Sequence, residues 1–238
     1  MRIDIEQYRN QGFTIVENFL TKEELELFEN RMKKFSENQM LLKGMKQKKS
    51  EALIDIFKIG GEYRKLLYKM LQDSLSLIEI KSKMLSLLES ESVLEKLGFI
   101  LPRVINGIII SLPGETKHDN LIHQDIFNKL SHRGIRFWIP LRKVDSTHGS
   151  MSIWPGSHVN GYLPHDDYSV NTYPTISKES LDHFEKKHFV KKMILDMYPG
   201  SAVIFDPLLI HESVRNQANK IRFVASIDIQ DLGAMPNF

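Results

Sequence analysis

The chain has 238 residues, no cysteine, and 32 Lys plus Arg against 30 Asp plus Glu, for a formal net charge of +2. Without thiols, disulfides, Cys-type zinc sites and thiol catalysis are excluded, so any metal must be held by His and carboxylate. Interspersed charges leave no electrostatic footprint for nucleic acid, and the length suits one large domain spanning 1–238. The opening residues carry charges where a signal peptide needs an apolar core, and no run reaches membrane-spanning length, so a cytoplasmic protein without a membrane partner is expected.

Residues 4–11 read as a short helix, and Phe13 to Val16 as a β-rich tetrapeptide. Thr21 with Glu24 is a capping-box pattern that starts a helix through about Lys34, with Leu25, Leu27 and Phe28 on its apolar side. The stretch near 41–50, with Lys43, Lys46, Lys48 and Lys49, reads as a solvated loop rather than a phosphate patch. Tyr63 to Leu88 places Leu66, Leu67, Met70, Leu71, Leu75 and Leu77 at near-helical spacing, a core-facing helix broken near Asp73 and Ser74. Ser92 with Glu95 repeats the capping-box pattern and opens a short helix ending near Gly98. Residues 1–99 thus form a mainly helical layer.

From about residue 100 the texture changes to short β-branched runs: Val104-Ile105, Ile108 to Ile110, Ile135 to Ile139, Met151 to Trp154, Ala202 to Phe205 and Ile221 to Ile229. Turn pairs such as Pro113-Gly114 and Pro199-Gly200 separate them, which points to a barrel or sandwich core over 100–231. A stretch from about 159 to 192 breaks this rhythm. It holds Tyr162, His165, Asp166, Asp167, Tyr168, Tyr173 and a helix near 177–187, and reads as a lid or binding loop.

Within the β region, His123-Gln124-Asp125 stands out. On an extended strand, positions two apart share a face, so His123 and Asp125 project an imidazole and a carboxylate into one space, which His211 can close. Two His and one carboxylate on one side of an octahedral ion leave the opposite positions open, the ligand set of non-haem Fe(II) oxygenases. Arg222 lies eleven positions after His211 (222 − 211), room for a turn at 216–219 and return on a neighbouring antiparallel strand with its guanidinium inward. A planar, permanently charged fork suits a carboxylate. Arg215 is a rival placed in the turn. His132, His148, His158, His183 and His188 read as loop or surface residues; His165 and Asp166 could touch substrate, though solvated positions suit them better.

Ile122 to Asn160 and Tyr198 to Asp228 resemble the phytanoyl-CoA dioxygenase family of Fe(II)- and 2-oxoglutarate-dependent oxygenases. The resemblance rests on the blocks HQD, WIPL, G-S-M-x-I-x-P-G-S-H and P-G-S-A-V-x-F followed by H and R. It implies a double-stranded β-helix, a jelly-roll or cupin-like barrel, flanked by N-terminal helices. It also implies His123, Asp125 and His211 as iron ligands, Arg222 and Ser213 on the distal carboxylate of 2-oxoglutarate, and Trp138 near that cosubstrate, core packing being its equal alternative. The chain departs from the family in having Ile108 to Ile110 and Ser111 where relatives often place a basic or polar cosubstrate contact, which implies that this contact is absent or moved. Asp125 fills the position where halogenating relatives have a small residue, which favours hydroxylation.

The activity implied is hydroxylation of a small-molecule substrate by O2, with 2-oxoglutarate converted to succinate and CO2. Ile126, Ile139 and Ile153 would wall the site if they face inward. Three tyrosines and several acids in the 159–192 stretch point to a polar substrate, and no CoA-binding feature stands out. The competing readings are a non-catalytic cupin-like sensor or scaffold that binds metal or carboxylate, and an O2-independent metal-assisted isomerase or hydrolase. The sequence leaves substrate identity and oligomeric state open.

Overall fold

In a computed structural model, the structure describes residues 1–45, 52–115, 122–125, 133–165 and 175–233. The segments outside these hold Lys46, Lys48, Lys49, Ile126, His132, Asp166, Asp167, Tyr168 and Tyr173.

Helix α1 (Ile5–Gln11) is capped by the Asp4 carboxylate on the Gln7 amide and leads through Gly12, at φ 77°, into β1 (Phe13–Val16). The Thr21 capping box forms in both directions, with Glu24 N to Thr21 Oγ1 at 3.3 Å and Thr21 N to Glu24 Oε2 at 2.7 Å. The helix it starts, α2 (Lys22–Leu42), runs well past Lys34 because buried Phe28, Met32 and Met40 continue one apolar stripe. Leu27 lies off that stripe and is exposed.

Next come α3 (Ala52–Lys58), α4 (Gly61–Gln72) and α5 (Leu75–Ser90), broken at Asp73 and Ser74 as the sequence suggests. Leu67, Leu71 and Leu77 face the core, whereas Leu66, Met70 and Leu75 face outward. The second capping box does not form. Ser92 sits in the left-handed region at φ 48° and makes no side-chain cap for α6 (Val93–Lys96), because the chain turns directly out of α5 with the Ser92 amide bonded to the Glu89 carbonyl.

The β region builds two antiparallel sheets. Strands β2 (Pro102–Ser111), β3 (Gly134–Pro140), β6 (Ala202–Phe205) and β8 (Arg222–Asp231) join β1 in the order β1-β6-β3-β8-β2. The two runs expected near 104 and 108 are thus one strand. The second sheet runs β5 (Met193–Ile194), β4 (Met151–Ile153), β7 (His211–Ser213), and a single bridge from His123 to His211 extends it. Helix α7 (Lys178–His188) occupies the stretch between β4 and β5.

Alternation along the strands divides two apolar layers. Ile108, Ile135, Phe137, Ile139, Ile204, Phe223, Ala225 and Ile227 pack outward against the helices, so Ile139 is not a barrel wall. Phe28 and Phe57 both meet the edge or face of Phe223, with ring centroids 5.8 and 6.4 Å away. Each such fully buried ring contributes about 1.5–3 kcal/mol. Inward, Phe13, Trp138, Val203, Phe205 and Val224 from the larger sheet meet Met151 and Ile153 from the smaller one. Two antiparallel sheets closed over this second layer, with helices on the outer face of one, make the double-stranded β-helix.

Candidate metal centre

Polar residues interrupt the inward layer, and three of them, His123, Asp125 and His211, converge. His123 and His211 exchange both backbone hydrogen bonds, at 3.0 Å each, which sets their rings side by side with centroids 4.2 Å apart. The segment 122–125 makes one bridge rather than a full strand, and the Asp125 amide, bonded to the Pro207 carbonyl at 2.8 Å, holds the carboxylate beneath the two rings. His123 Nε2 is 3.5 Å from Asp125 Oδ1, and His211 Nε2 is 3.5 Å from Asp125 Oδ2. One ligand atom from each of the three lies within 4.8 Å of the others, the one such group among the described residues.

The chemistry of these donors suits a divalent ion. His211 Nδ1 lies 2.9 Å from the Leu209 carbonyl, to which it donates, so Nε2 carries the free lone pair and faces Asp125. Burial first, then neighbouring His123, pushes the His211 pKa down to about 3, so the ring is neutral at ordinary pH. Two imidazoles with one carboxylate match the preference of Fe(II) and related ions.

Gln124, between the two donors, points away from them and is fully buried. Its Nε2 donates to the carbonyls of Gly161 (2.9 Å) and Leu208 (2.6 Å), its Oε1 accepts from Leu163 N (2.8 Å), and its own amide donates to His165 Nε2 (3.0 Å). His165 therefore serves the backbone beside the donors, with Tyr162 stacked on it at 4.8 Å.

Arg222 is buried and opens β8 directly opposite Ser111 of β2. It shares the inward face with Val224, and its Nη1 donates to the Gly149 carbonyl. The route by which it arrives differs from the expected hairpin. β7 and β8 belong to different sheets, so the chain crosses the barrel instead of turning back beside itself. Buried Asn216 organises this crossing by donating to the carbonyls of Ser111 (3.0 Å) and Lys220 (2.8 Å). Arg215 is exposed and donates to the Gly114 carbonyl, away from the interior. Ser213 shares the face of His211, both opposite inward residues of β4. Trp138 is buried in the inward layer, as is Ile153. A cavity of about 1210 Å³ between α2 and Leu141, Arg142 and Lys143 reaches Arg222 and His148, but His123, Asp125 and His211 do not line it.

Sequence reasoning missed Arg136. This residue of β3 lies inside the barrel, where Nη1 pairs with Asp125 Oδ2 and Nη2 pairs with Asp228 Oδ2 at 2.9 Å. Burial works against its charge, but Asp125 and Asp228 outweigh that and raise its pKa.

A family model of phytanoyl-CoA dioxygenase matches residues 8–224. The peroxisomal phytanoyl-CoA dioxygenase of Bos taurus is 27% identical over 113 residues, 46% of this chain and 33% of that protein. Its Mus musculus counterpart is 27% identical over 128 residues, 50% of this chain and 36% of that protein. The chain thus spans about a third of the length of these curated relatives. Among solved structures, EvdO2 from Micromonospora carbonacea var. aurantiaca, complexed with 2-oxoglutarate, superposes with a TM-score of 0.59 at 16% identity, covering 96% of this chain and 93% of that one. The non-heme alpha-ketoglutarate-dependent carbocyclase SnoK from nogalamycin biosynthesis gives 0.56 at 19% identity, over 95% and 83%. Both share the fold.

Proposed function

Because the chain belongs to the phytanoyl-CoA dioxygenase family, we propose that it is an Fe(II)- and 2-oxoglutarate-dependent dioxygenase that hydroxylates a small molecule, releasing succinate and CO2. The observation that carries this reading is the convergence of His123, Asp125 and His211 on one point inside a barrel that also holds Arg222. His123, Asp125 and His211 would hold the metal, and their donor set fits it, since His211 Nε2 is unprotonated and its Nδ1 is committed to Leu209. Iron, when bound with 2-oxoglutarate, supplies the oxidising chemistry.

The chain's own residues bind, orient and exclude water. Arg222 offers a fork of donors to the distal carboxylate of 2-oxoglutarate, fixed in direction by its bond to the Gly149 carbonyl. Ser213, on the face of His211, and Ser111, in register with Arg222 on the neighbouring strand β2, would serve this end. Trp138, Ile153, Phe205 and Val224 keep the interior dry, and the Phe205 ring packs 4.9 Å from the His211 ring. In that low dielectric the Arg222 charge interacts more strongly than it would in water. A polar small molecule is the substrate class favoured, on the strength of the Tyr162 and His165 stack at the start of the stretch after β4.

Titrating the metal-free protein anaerobically with Fe(II) and then 2-oxoglutarate tests the reading through the visible charge-transfer band of the chelate. The band should form in wild type and weaken sharply in Arg222→Ala. Its absence despite measured iron uptake would reject the oxygenase and leave a metal-binding module.

A further inference from the structure

Arg136 is gripped from two sides. Asp228, directly opposite it on β8, takes Nε and Nη2 in a two-pronged pair, and Asp125 takes Nη1 through Oδ2. An arginine inside a barrel loses its hydration and persists only where carboxylates replace that water. Its planar fork also dictates direction, because three of its donors are spent on two carboxylates in fixed geometry. Asp125 Oδ1, the oxygen that Arg136 does not take, lies 3.5 Å from His123 Nε2, and Oδ2, which Arg136 holds, lies 3.5 Å from His211 Nε2, so the guanidinium competes with a metal for one of two oxygens that both face the site.

We propose that Arg136, braced by Asp228, is a positioning residue that engages one oxygen of Asp125 and so keeps this carboxylate a one-oxygen metal ligand. The inference rests on His123, Asp125 and His211 being the metal-holding set. Its consequence follows from counting positions on an octahedral ion. Two imidazoles and one oxygen leave three positions; a chelating 2-oxoglutarate takes two, and one stays open. A carboxylate free to swing onto both oxygens would close that last position.

Mn(II) is the probe, because the waters it retains are read from the relaxation of bulk water protons. Wild type, Arg136→Gln and Asp228→Asn are titrated with Mn(II) and then 2-oxoglutarate, with folding checked by circular dichroism. Relaxation per bound ion should fall by about a third in the Arg136→Gln binary complex, from three retained waters to two. In the complex with 2-oxoglutarate it should be lost, whereas wild type keeps it. Asp228→Asn, which leaves the guanidinium but removes its brace, should move the same way by less. Wild-type relaxation in folded, loaded Arg136→Gln overturns the proposal, and so does a change in Mn(II) affinity alone, which would mark Arg136 as a charge without a positioning role. Should Arg136→Gln not fold, wild-type relaxation in Asp228→Asn is decisive against it. A wild type that takes up no Mn(II) rejects the ligand assignment, a separate failure visible before any variant is compared.

Discussion

Replacing Gln124 by alanine should loosen the backbone that carries His123 and Asp125 without touching either side chain. The substitution removes three hydrogen bonds, to Gly161 O, Leu208 O and from Leu163 N, at 2.9, 2.6 and 2.8 Å. At about 1 kcal/mol net for each neutral bond, the loss is about 3 kcal/mol. For a domain of this size that corresponds to a fall in Tm of roughly 6–12 °C. Urea denaturation of metal-free wild type and variant measures the stability change. Amide exchange over 161–165 and 206–209 shows whether it is local, because the glutamine ties both stretches to the donor segment. Fe(II) affinity should fall as well, since the donors are then held less rigidly. A stability loss below about 1 kcal/mol with unchanged exchange would refute the reasoning, because the three backbone groups would then have found other partners.

His123→Ala, Asp125→Ala or His211→Ala should each abolish Fe(II) uptake, measured by equilibrium dialysis, while the far-ultraviolet spectrum stays native; retained uptake in His211→Ala would remove that residue from the set. His211 also sets a pH dependence. Its pKa falls from about 6.5 in the unfolded chain to about 3 in the fold, so unfolding takes up a proton between these values. Its contribution is therefore complete above about pH 6.5 and is lost as pH falls toward 3, with a slope approaching 1.4 kcal/mol per pH unit, roughly. Urea midpoints of metal-free His211→Gln across pH 7 to 4.5 should show a flatter profile than wild type, and equal slopes would contradict the assignment. Gly149 sits at φ 73°, and a Cβ there would stand 3.2 Å from Arg222 Nη1 and 3.1 Å from the Val214 carbonyl. Gly149→Ala should cost about 1–2 kcal/mol in the left-handed backbone and weaken 2-oxoglutarate binding by calorimetry while leaving Fe(II) affinity intact; loss of both together would place Gly149 in general folding.

The cluster proposed as metal donors was legible in the sequence because His123, Asp125 and His211 combine residue types and spacing that few other arrangements explain. Arg136 was not, since an arginine within Gly134 to Pro140 carries no periodic signal of its own and its partners are 11 positions earlier and 92 positions later (136 − 125, 228 − 136). A signal for Asp228 did exist. From Ile221 to Gln230 the chain alternates Ile221, Phe223, Ala225, Ile227 and Ile229 against Arg222, Val224, Ser226, Asp228 and Gln230, the period of a strand with one apolar face and one largely polar face. Reading the run only as β-branched hid that second face. The hairpin expected between His211 and Arg222 failed for a related reason: local spacing cannot tell a turn between paired strands from a crossing between sheets. Helical periodicity over 63–88 found two helices but ranked Leu66 and Met70 with Leu67 and Leu71, because a broad apolar stripe does not say which edge meets the sheet.

The larger sheet joins segments far apart in the chain. β1 pairs with β6 alone, 186 residues later (202 − 16), and β2 pairs with β8, whose last residue is Asp231. On a ribosome, the sheet cannot close until β8 has emerged, and such non-local pairing makes folding slow. The helices, being local, are free to form first, yet Phe28 and Phe57 have no Phe223 to cover them until the last strand arrives. The nascent protein therefore presents an exposed aromatic face until β8 has been made, which makes it a candidate for chaperone capture and for aggregation when overproduced. Under the proposed ligand set, iron loading needs His211 opposite His123 and so awaits the segment that carries β7.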